Sequence, residues 1–198
     1  MKLKKSTLIL TVSILACWLG AGLSQAAEFS ALVVSRSGSQ ESQGKVYFQG
    51  EKMRREVSTP EGQAINIARP DRQVMWVVLP GQKMYMEMPF QKSELGQAMA
   101  MPQDRAQMKL LGTETVNGYE TEKYETVLKG NGKTVKSYMW VSKKLGVPIK
   151  MVSQDGKFSM EYKNIKEGGL PPGVFELPPG YQKMPMPQGV PQGMPRGR

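Results

Sequence analysis

The chain has 198 residues, of which 39% are hydrophobic, a formal net charge of +10, and 21 glycines and 14 prolines. This composition supplies a core for one domain and excludes a globally disordered chain. Histidine is absent and the single cysteine is Cys17, which excludes an intramolecular disulfide and removes the commonest general base and metal ligand.

The first 26 residues have the features of a secretory signal peptide. Lysines near the start precede an apolar run from Thr7 to about Leu19, and Ser24 and Ala26 fit the small-residue pattern of a cleavage site. We predict export to the periplasm, with cleavage after Ala26. The apolar run is short for a membrane anchor, which needs roughly 20 residues.

A lipoprotein signal is the alternative interpretation of this leader. Ile14-Leu15-Ala16-Cys17 fits a loose lipobox, which would anchor the protein through an acylated Cys17. The residues that follow the cysteine are still apolar, which favours ordinary cleavage. The positive charge allows peripheral contact with anionic lipid, and nucleic acid is not an expected partner.

From Ala27 to Met88 the sequence alternates in the manner of β-strands separated by turns. Predicted strands cover 27–37, 44–51, 52–58, 64–68, 73–79 and 82–88, with Pro60, Pro70 and Pro80 in the connections. In the last of them Met84, Met86 and Met88 share one face.

Residues 89–108 interrupt this pattern, and 90–101 is the best candidate for one or two short helices. Strands then resume, with hairpin turns at Asn117-Gly118 and Asp155-Gly156. The stretch 133–166 reads as three consecutive antiparallel strands. The total of ten or eleven strands at hairpin spacing predicts an all-β sandwich or barrel.

The C-terminal part has two sections. Val174, Phe175 and Leu177, framed by proline pairs, are expected to plug a core. Residues 182–198 are rich in Pro, Gly and Met and predict a disordered or polyproline-like tail. The predicted organisation is therefore a signal peptide at 1–26, one domain at 27–181 and a tail at 182–198.

Several segments together carry a family resemblance: GKVYFQGEKMRRE, IARPDRQVMWVVLPGQKMYMEMP, GTETVNGYETEKYE, MWVSKKLGVPIKM and GVFELPPGYQKM. With the leader, they resemble the LolA/LolB/RseB-like periplasmic lipoprotein-carrier superfamily, and more narrowly a branch of small exported bacterial proteins near it. The resemblance covers roughly residues 29–181. It implies one antiparallel sheet of about eleven strands, curled into an unclosed half-barrel, with short helices as a lid. It also implies an apolar concave face that receives acyl chains of lipids or lipoproteins.

The apolar strand residues are the candidate binding site for such a ligand. Methionine is flexible and polarisable and suits a promiscuous apolar surface, although the same residues can simply fill a core. The predicted lining residues, all on strands expected to share faces, are Trp76, Val78, Met84, Met86, Met88, Met139, Trp140, Met151 and Met160.

Three other functions are weighed against apolar-ligand binding. Catalysis is not expected, because the chain has no G-x-S-x-G motif and its paired carboxylates Glu120 and Glu122 fit a solvated strand face. Methionine pairs at spacing two could bind Cu(I), but strand geometry explains the spacing without a metal, and no cofactor is predicted. A regulatory module with a filled core that binds an envelope protein is the main alternative.

Overall fold

The computed structural model describes residues 27–59, 62–91, 108–130 and 133–185. Strands dominate these ranges: β1 Glu28–Ser37, β2 Gln40–Gln49, β3 Lys52–Thr59, β4 Gly62–Arg69, β5 Val74–Leu79, β6 Met84–Pro89, β7 Lys109–Val116, β8 Tyr119–Gly130, β9 Lys133–Ser142, β10 Pro148–Ser153, β11 Phe158–Glu167 and β12 Gln182–Lys183. Single 3-10 turns at Pro70–Arg72 and Pro80–Gln82 join β4 to β5 and β5 to β6.

All of these strands belong to one sheet. Their order is β12-β6-β5-β4-β3-β2-β1-β11-β10-β9-β8-β7, and neighbours are antiparallel except for the parallel pair β12 and β6. The two edge strands, β12 and β7, do not pair with each other, so the sheet is an unclosed half-barrel. The predicted all-β half-barrel is confirmed, and its count of about eleven corresponds to the strands β1 to β11.

The two hairpin turns predicted from local sequence are both present. Asn117 and Gly118 join β7 to β8 with φ angles of 49° and 82°, the left-handed conformation that asparagine and glycine tolerate best. Asp155 and Gly156 join β10 to β11, and the Asp155 carboxylate accepts hydrogen bonds from Ser153 Oγ and from the Lys157 main-chain N–H. These local signals fix the connections between neighbouring strands.

The pairing register divides the sheet into two faces. Successive strand residues alternate between faces, and directly paired residues lie on the same face. The pairs Met53–Ala68, Ala68–Met75 and Met75–Met88 therefore place these side chains together, on what we call the methionine face. The pairs Ile67–Trp76 and Trp76–Glu87 lie on the opposite face.

The larger of two hydrophobic clusters is centred on the methionine face. Phe29 and Phe48 stack with their ring centroids 4.8 Å apart, and both rings lie within 6.5 Å of Tyr162. Val46, Met139 and Met151 are also buried in this cluster. Because these side chains are buried, this part of the methionine face is core. Each fully buried side chain of this size contributes about 1.5–3 kcal/mol to the stability of the fold.

The smaller cluster lies on the opposite face, under residues 170–181, which we call the C-terminal segment. Phe175 is buried against Ile65, Ile67, Trp76 and Val78 from β4 and β5. The expectation that this segment plugs a core is confirmed. Its main chain is also held by Arg69, whose Nη1 donates a 3.2 Å hydrogen bond to the Phe175 carbonyl oxygen.

Some predictions fall outside the described residues: the signal peptide at 1–26 with Cys17, most of the helix candidate at 90–101 with its lid, and the tail beyond 185. At the start of the predicted tail, Gln182 and Lys183 form β12, so the sheet continues past the expected domain end at 181. Across the described ranges, the chain has no helix of the length and apolar character needed to span a membrane.

Candidate functional site

The methionine face takes its name from a consistent placement of one residue type. Following the register from strand to strand, every methionine within the described strands lies on this face. These residues are Met53, Met75, Met84, Met86, Met88, Met139, Met151 and Met160. Because alternation would put about half of them on each face by chance, the placement marks this face as distinct.

The methionines of β5 and β6 are half-buried. Met75 pairs directly with Met88, and Met86 pairs with Val77. In the described part of the chain, Met75, Met84, Met86 and Met88 belong to neither hydrophobic cluster. We call these four half-buried residues, which lie outside both clusters of the described residues, the open half of the methionine face.

The methionines of β9, β10 and β11 have a different environment. Met139 and Met151 pair directly and are both 0% exposed, and Met160 pairs with Met151 and is 7% exposed. All three belong to the larger hydrophobic cluster. This filled half of the face acts as core, which is the simpler interpretation that the sequence left open for any single methionine.

Three predicted lining residues lie on the opposite face. Trp76 and Val78 are buried beneath the C-terminal segment in the smaller cluster. Trp140 is paired with Lys123 and Lys150, whose Nζ atoms lie 5.0 and 4.9 Å from its ring centroid. The expectation that all the lining residues share a face is therefore wrong for Trp76, Val78 and Trp140.

The Trp140 indole also has a polar partner on that opposite face. Its Nε1 donates a 2.8 Å hydrogen bond to Glu114 Oε2. The hydrogen bonds that Glu114 accepts from Lys123 and from Trp140 lower the pKa of its carboxyl group. Trp140 is thus 6% exposed, with Lys123, Lys150 and Glu114 around its ring on the face opposite the methionines.

Arg55 is a residue of the methionine face that the sequence prediction missed. It pairs with Val46 on one side and Asn66 on the other, which places it beside the aromatic core. Its Nε is buried and has no hydrogen-bond partner. By contrast, the neighbouring Arg54 is on the opposite face, where it bonds Glu56 at 2.8 Å and the Val174 carbonyl oxygen at 3.1 Å.

The sequence contains one signal that could have identified this residue. Arg54 and Arg55 are adjacent in an alternating strand, so one of the two must point to each face. Arg55 is the one on the methionine face, and its charge acts on the pKa of the Tyr162 side chain. Burial raises the pKa of Tyr162 to about 12, and the positive charge of Arg55 acts in the opposite direction. The phenol is therefore a buried neutral group within the electrostatic reach of the guanidinium.

A family model described as a domain of unknown function, DUF4412, matches residues 31–147, more than half of the chain. The chain belongs to this family. In the structure, the DUF4412 match runs from β1 to the turn that follows β9, so it includes the open half of the methionine face and Arg55. No protein of curated function matches the sequence.

Solved structures add similarity in fold to this DUF4412 chain. An uncharacterized conserved protein from Thermus thermophilus matches with a TM-score of 0.56 and 15% identity, covering 81% of this chain and 91% of that one. This similarity shows a shared fold. The half-barrel fold that was expected from the resemblance to the LolA/LolB/RseB-like superfamily is confirmed.

Weaker similarity extends to two further solved structures. A chain of the MucA/MucB complex from Pseudomonas aeruginosa matches with a TM-score of 0.47 and 11% identity, and the match covers 75% of this chain and 54% of that one. The lipoprotein LppX from Mycobacterium tuberculosis matches with a TM-score of 0.38 and 12% identity, over 70% of this chain and 84% of LppX. The DUF4412 chain thus spans about half the length of the MucA/MucB chain.

Proposed function

We propose that this DUF4412 protein is an exported protein of the bacterial envelope that binds an apolar ligand on its methionine face. The ligand is a lipid or the acyl chain of a lipoprotein, and the protein acts as a carrier or sensor without catalysis. The observation that carries the proposal is the open half of the face, where Met75, Met84, Met86 and Met88 are half-buried outside both clusters. Export is inferred from the leader sequence at 1–26.

An acyl chain suits this surface for two physical reasons. Methionine side chains rearrange easily, so a surface built from them fits chains of different length and saturation. Each methylene group that leaves water contributes about 0.8 kcal/mol, so even a partly covered chain gains several kcal/mol. A carrier needs to bind the acyl chain about as favourably as a membrane does, so that the ligand can be both taken up and released. A half-buried surface, which covers the acyl chain only in part, allows this.

The remaining predicted lining residues are proposed in a narrower sense. Met84, Met86 and Met88 would contact the ligand directly, since they are half-buried on the open half. Met139, Met151 and Met160 are buried in the core and would not contact the ligand. Trp76, Val78 and Trp140 are not proposed to touch a ligand.

The test is the binding of N-phenyl-1-naphthylamine, a neutral apolar dye, to protein purified from the periplasm without detergent. Met86→Gln places an amide in the middle of the open half, and we expect affinity for the dye to fall about tenfold or more. The matched control is Val152→Gln, which changes a half-buried apolar residue on the opposite face. Equal affinity of both variants and the parent protein would contradict the proposal.

A regulatory module that binds an envelope protein is the second candidate function. The observation in its favour is the filled half of the methionine face, where Phe29, Met139 and Met151 are 0% exposed and leave no room for a ligand. If the filled packing continued across β5 and β6, the dye would not bind and neither variant would change binding. A partner protein recovered by cross-linking in the periplasm would then favour this alternative.

A further inference from the structure

We propose that Arg55 binds the anionic group of the ligand, so that the physiological ligand is an anionic amphiphile and not a neutral lipid. This inference rests on the proposed function, because it names the ligand class for the same methionine face. The group it would bind is a carboxylate or a phosphate attached to an acyl chain. The guanidinium matches both in geometry, since it presents several N–H donors in one plane.

The first reason is the isolation of the charge. Along strands β1 to β6, Arg55 is the one charged residue that the register places on the methionine face. Its direct neighbours across the sheet are Val46 and Asn66, and Met53 and Val57 flank it on the same strand face. Arg55 is half-buried on this apolar surface, and an anion beside it would offset the loss of hydration of its charge.

The second reason is the missing partner. Arg55 Nε is buried without a hydrogen bond, whereas the buried Arg69 uses all three of its guanidinium nitrogens. Arg69 bonds both Asp71 oxygens at 2.8 Å, as well as Glu176 and the Phe175 carbonyl oxygen. Thr126 Oγ1 and Ser137 Oγ are also buried without a partner among the described residues, but Arg55 Nε is the one such atom that belongs to a cation. An anion from a ligand would supply the acceptor that Nε lacks.

The third reason is the chemistry around the guanidinium. The Tyr162 hydroxyl is a neutral group at pH 7, as an ordinary phenol is, and the Asn66 side chain is opposite Arg55 on the next strand. The site therefore combines a cation with neutral hydrogen-bond donors, and strands β1 to β6 place no carboxylate on this face to compete. This combination favours an anion over a cation or a zwitterion.

The test compares two ligands of the same chain length, oleate and oleyl alcohol, as competitors of N-phenyl-1-naphthylamine. The parent protein should bind oleate at least about tenfold more tightly than oleyl alcohol, the effect of one charge-assisted pair. Arg55→Gln should remove this preference, so that oleate and oleyl alcohol bind with similar affinity. Arg55→Lys should retain most of it, and Lys45→Gln, which removes an exposed cation on the opposite face, should retain all of it.

Each outcome decides between the two claims. Equal binding of oleate and oleyl alcohol by the parent protein overturns the role of Arg55 and leaves the proposed function intact. Absence of binding by the dye and both ligands contradicts the proposed function as well. If Arg55→Gln fails to fold, the comparison in the parent protein and in Arg55→Lys still gives the answer. A parallel titration with lysophosphatidic acid and inorganic phosphate separates carboxylate from phosphate, and an acyl-linked anion from a free one.

Discussion

Trp76 donates a 3.0 Å hydrogen bond from Nε1 to Oε2 of Glu87, its direct partner across the β5–β6 ladder. Glu87 also accepts a 2.7 Å hydrogen bond from Lys183 in β12. The hydrogen bonds from Lys183 and from Trp76 lower the pKa of the Glu87 carboxyl group. This chain of contacts connects β5, β6 and β12 on the face opposite the methionines, so Trp76 contributes to the structure of the sheet edge.

Replacement of Trp76 should therefore lower the stability of the protein without changing its affinity for the dye. Trp76→Ala removes a large side chain from the smaller cluster and should lower the free energy of unfolding by about 3–5 kcal/mol. Trp76→Phe keeps most of the side-chain volume but loses the hydrogen bond to Glu87, which should lower the free energy of unfolding by about 1 kcal/mol. Urea unfolding monitored by circular dichroism measures both. A Trp76→Ala protein of unchanged stability that no longer binds the dye would show that the faces are assigned incorrectly.

The C-terminal segment should behave as part of the core. Phe175 is 6% exposed beneath the sheet, so Phe175→Ala should cost about 3–5 kcal/mol in the free energy of unfolding. Val174 is only half-buried, and Val174→Ala serves as the control with a smaller loss. Under conditions where both variants are folded, their affinity for the dye should equal that of the parent. A loss of dye binding in the folded Phe175→Ala protein would show that the dye binds the face covered by the C-terminal segment and not the methionine face.

The ion pair between Arg69 and Asp71 predicts a specific dependence of stability on pH. The hydrogen bond and charge of Arg69 lower the pKa of Asp71 from 3.8 to about 2. Because the folded protein binds this proton less tightly than the unfolded chain, the contribution of the pair is complete above about pH 4 and is lost as the pH falls through about 2.

This dependence can be measured by comparing the parent with Asp71→Asn. Their free energies of unfolding should differ at pH 5, and the difference should shrink steadily towards pH 2. Glu51→Gln, which changes an exposed carboxylate in the turn between β2 and β3, is the control and should show no such gap. A gap for Asp71→Asn that is constant from pH 5 to pH 2 would mean that the carboxylate is not held by Arg69.

Oxidation of methionine separates the open half of the face from the filled half. Because thioether oxidation requires access of the oxidant, hydrogen peroxide should convert Met84, Met86 and Met88 to sulfoxides well before Met139 and Met151. Peptide mapping by mass spectrometry gives the rate at each site. Addition of oleate should slow oxidation of the first group and leave the second unchanged. Oxidation of all five at one rate would contradict the division into two halves.

The strands and hairpins could be predicted because their signals are local. Alternation defines a strand within six or seven residues, and Asn117-Gly118 and Asp155-Gly156 define turns by their own backbone preferences. Alternation also placed Met84, Met86 and Met88 on one face correctly. It also separates Met139 from Trp140 within β9, so the sequence alone indicates that these two residues do not line the same face.

The relation between faces of different strands could not be predicted in the same way. Whether Trp76 shares a face with Met84 depends on the register between β5 and β6, where a shift by one residue would exchange the faces. Likewise, the choice between Arg54 and Arg55 depends on contacts distant in sequence. Arg54 is held on the opposite face by Val174, 120 residues further along the chain, which leaves Arg55 on the methionine face.

Native mass spectrometry of the protein purified from the periplasm without detergent tests the central claim most directly. We expect a bound mass that corresponds to an acyl-containing anionic molecule, retained by the parent and reduced in Met86→Gln but not in Val152→Gln. A protein that carries no bound mass, and that takes up neither N-phenyl-1-naphthylamine nor oleate afterwards, would contradict the claim that the methionine face binds an apolar ligand.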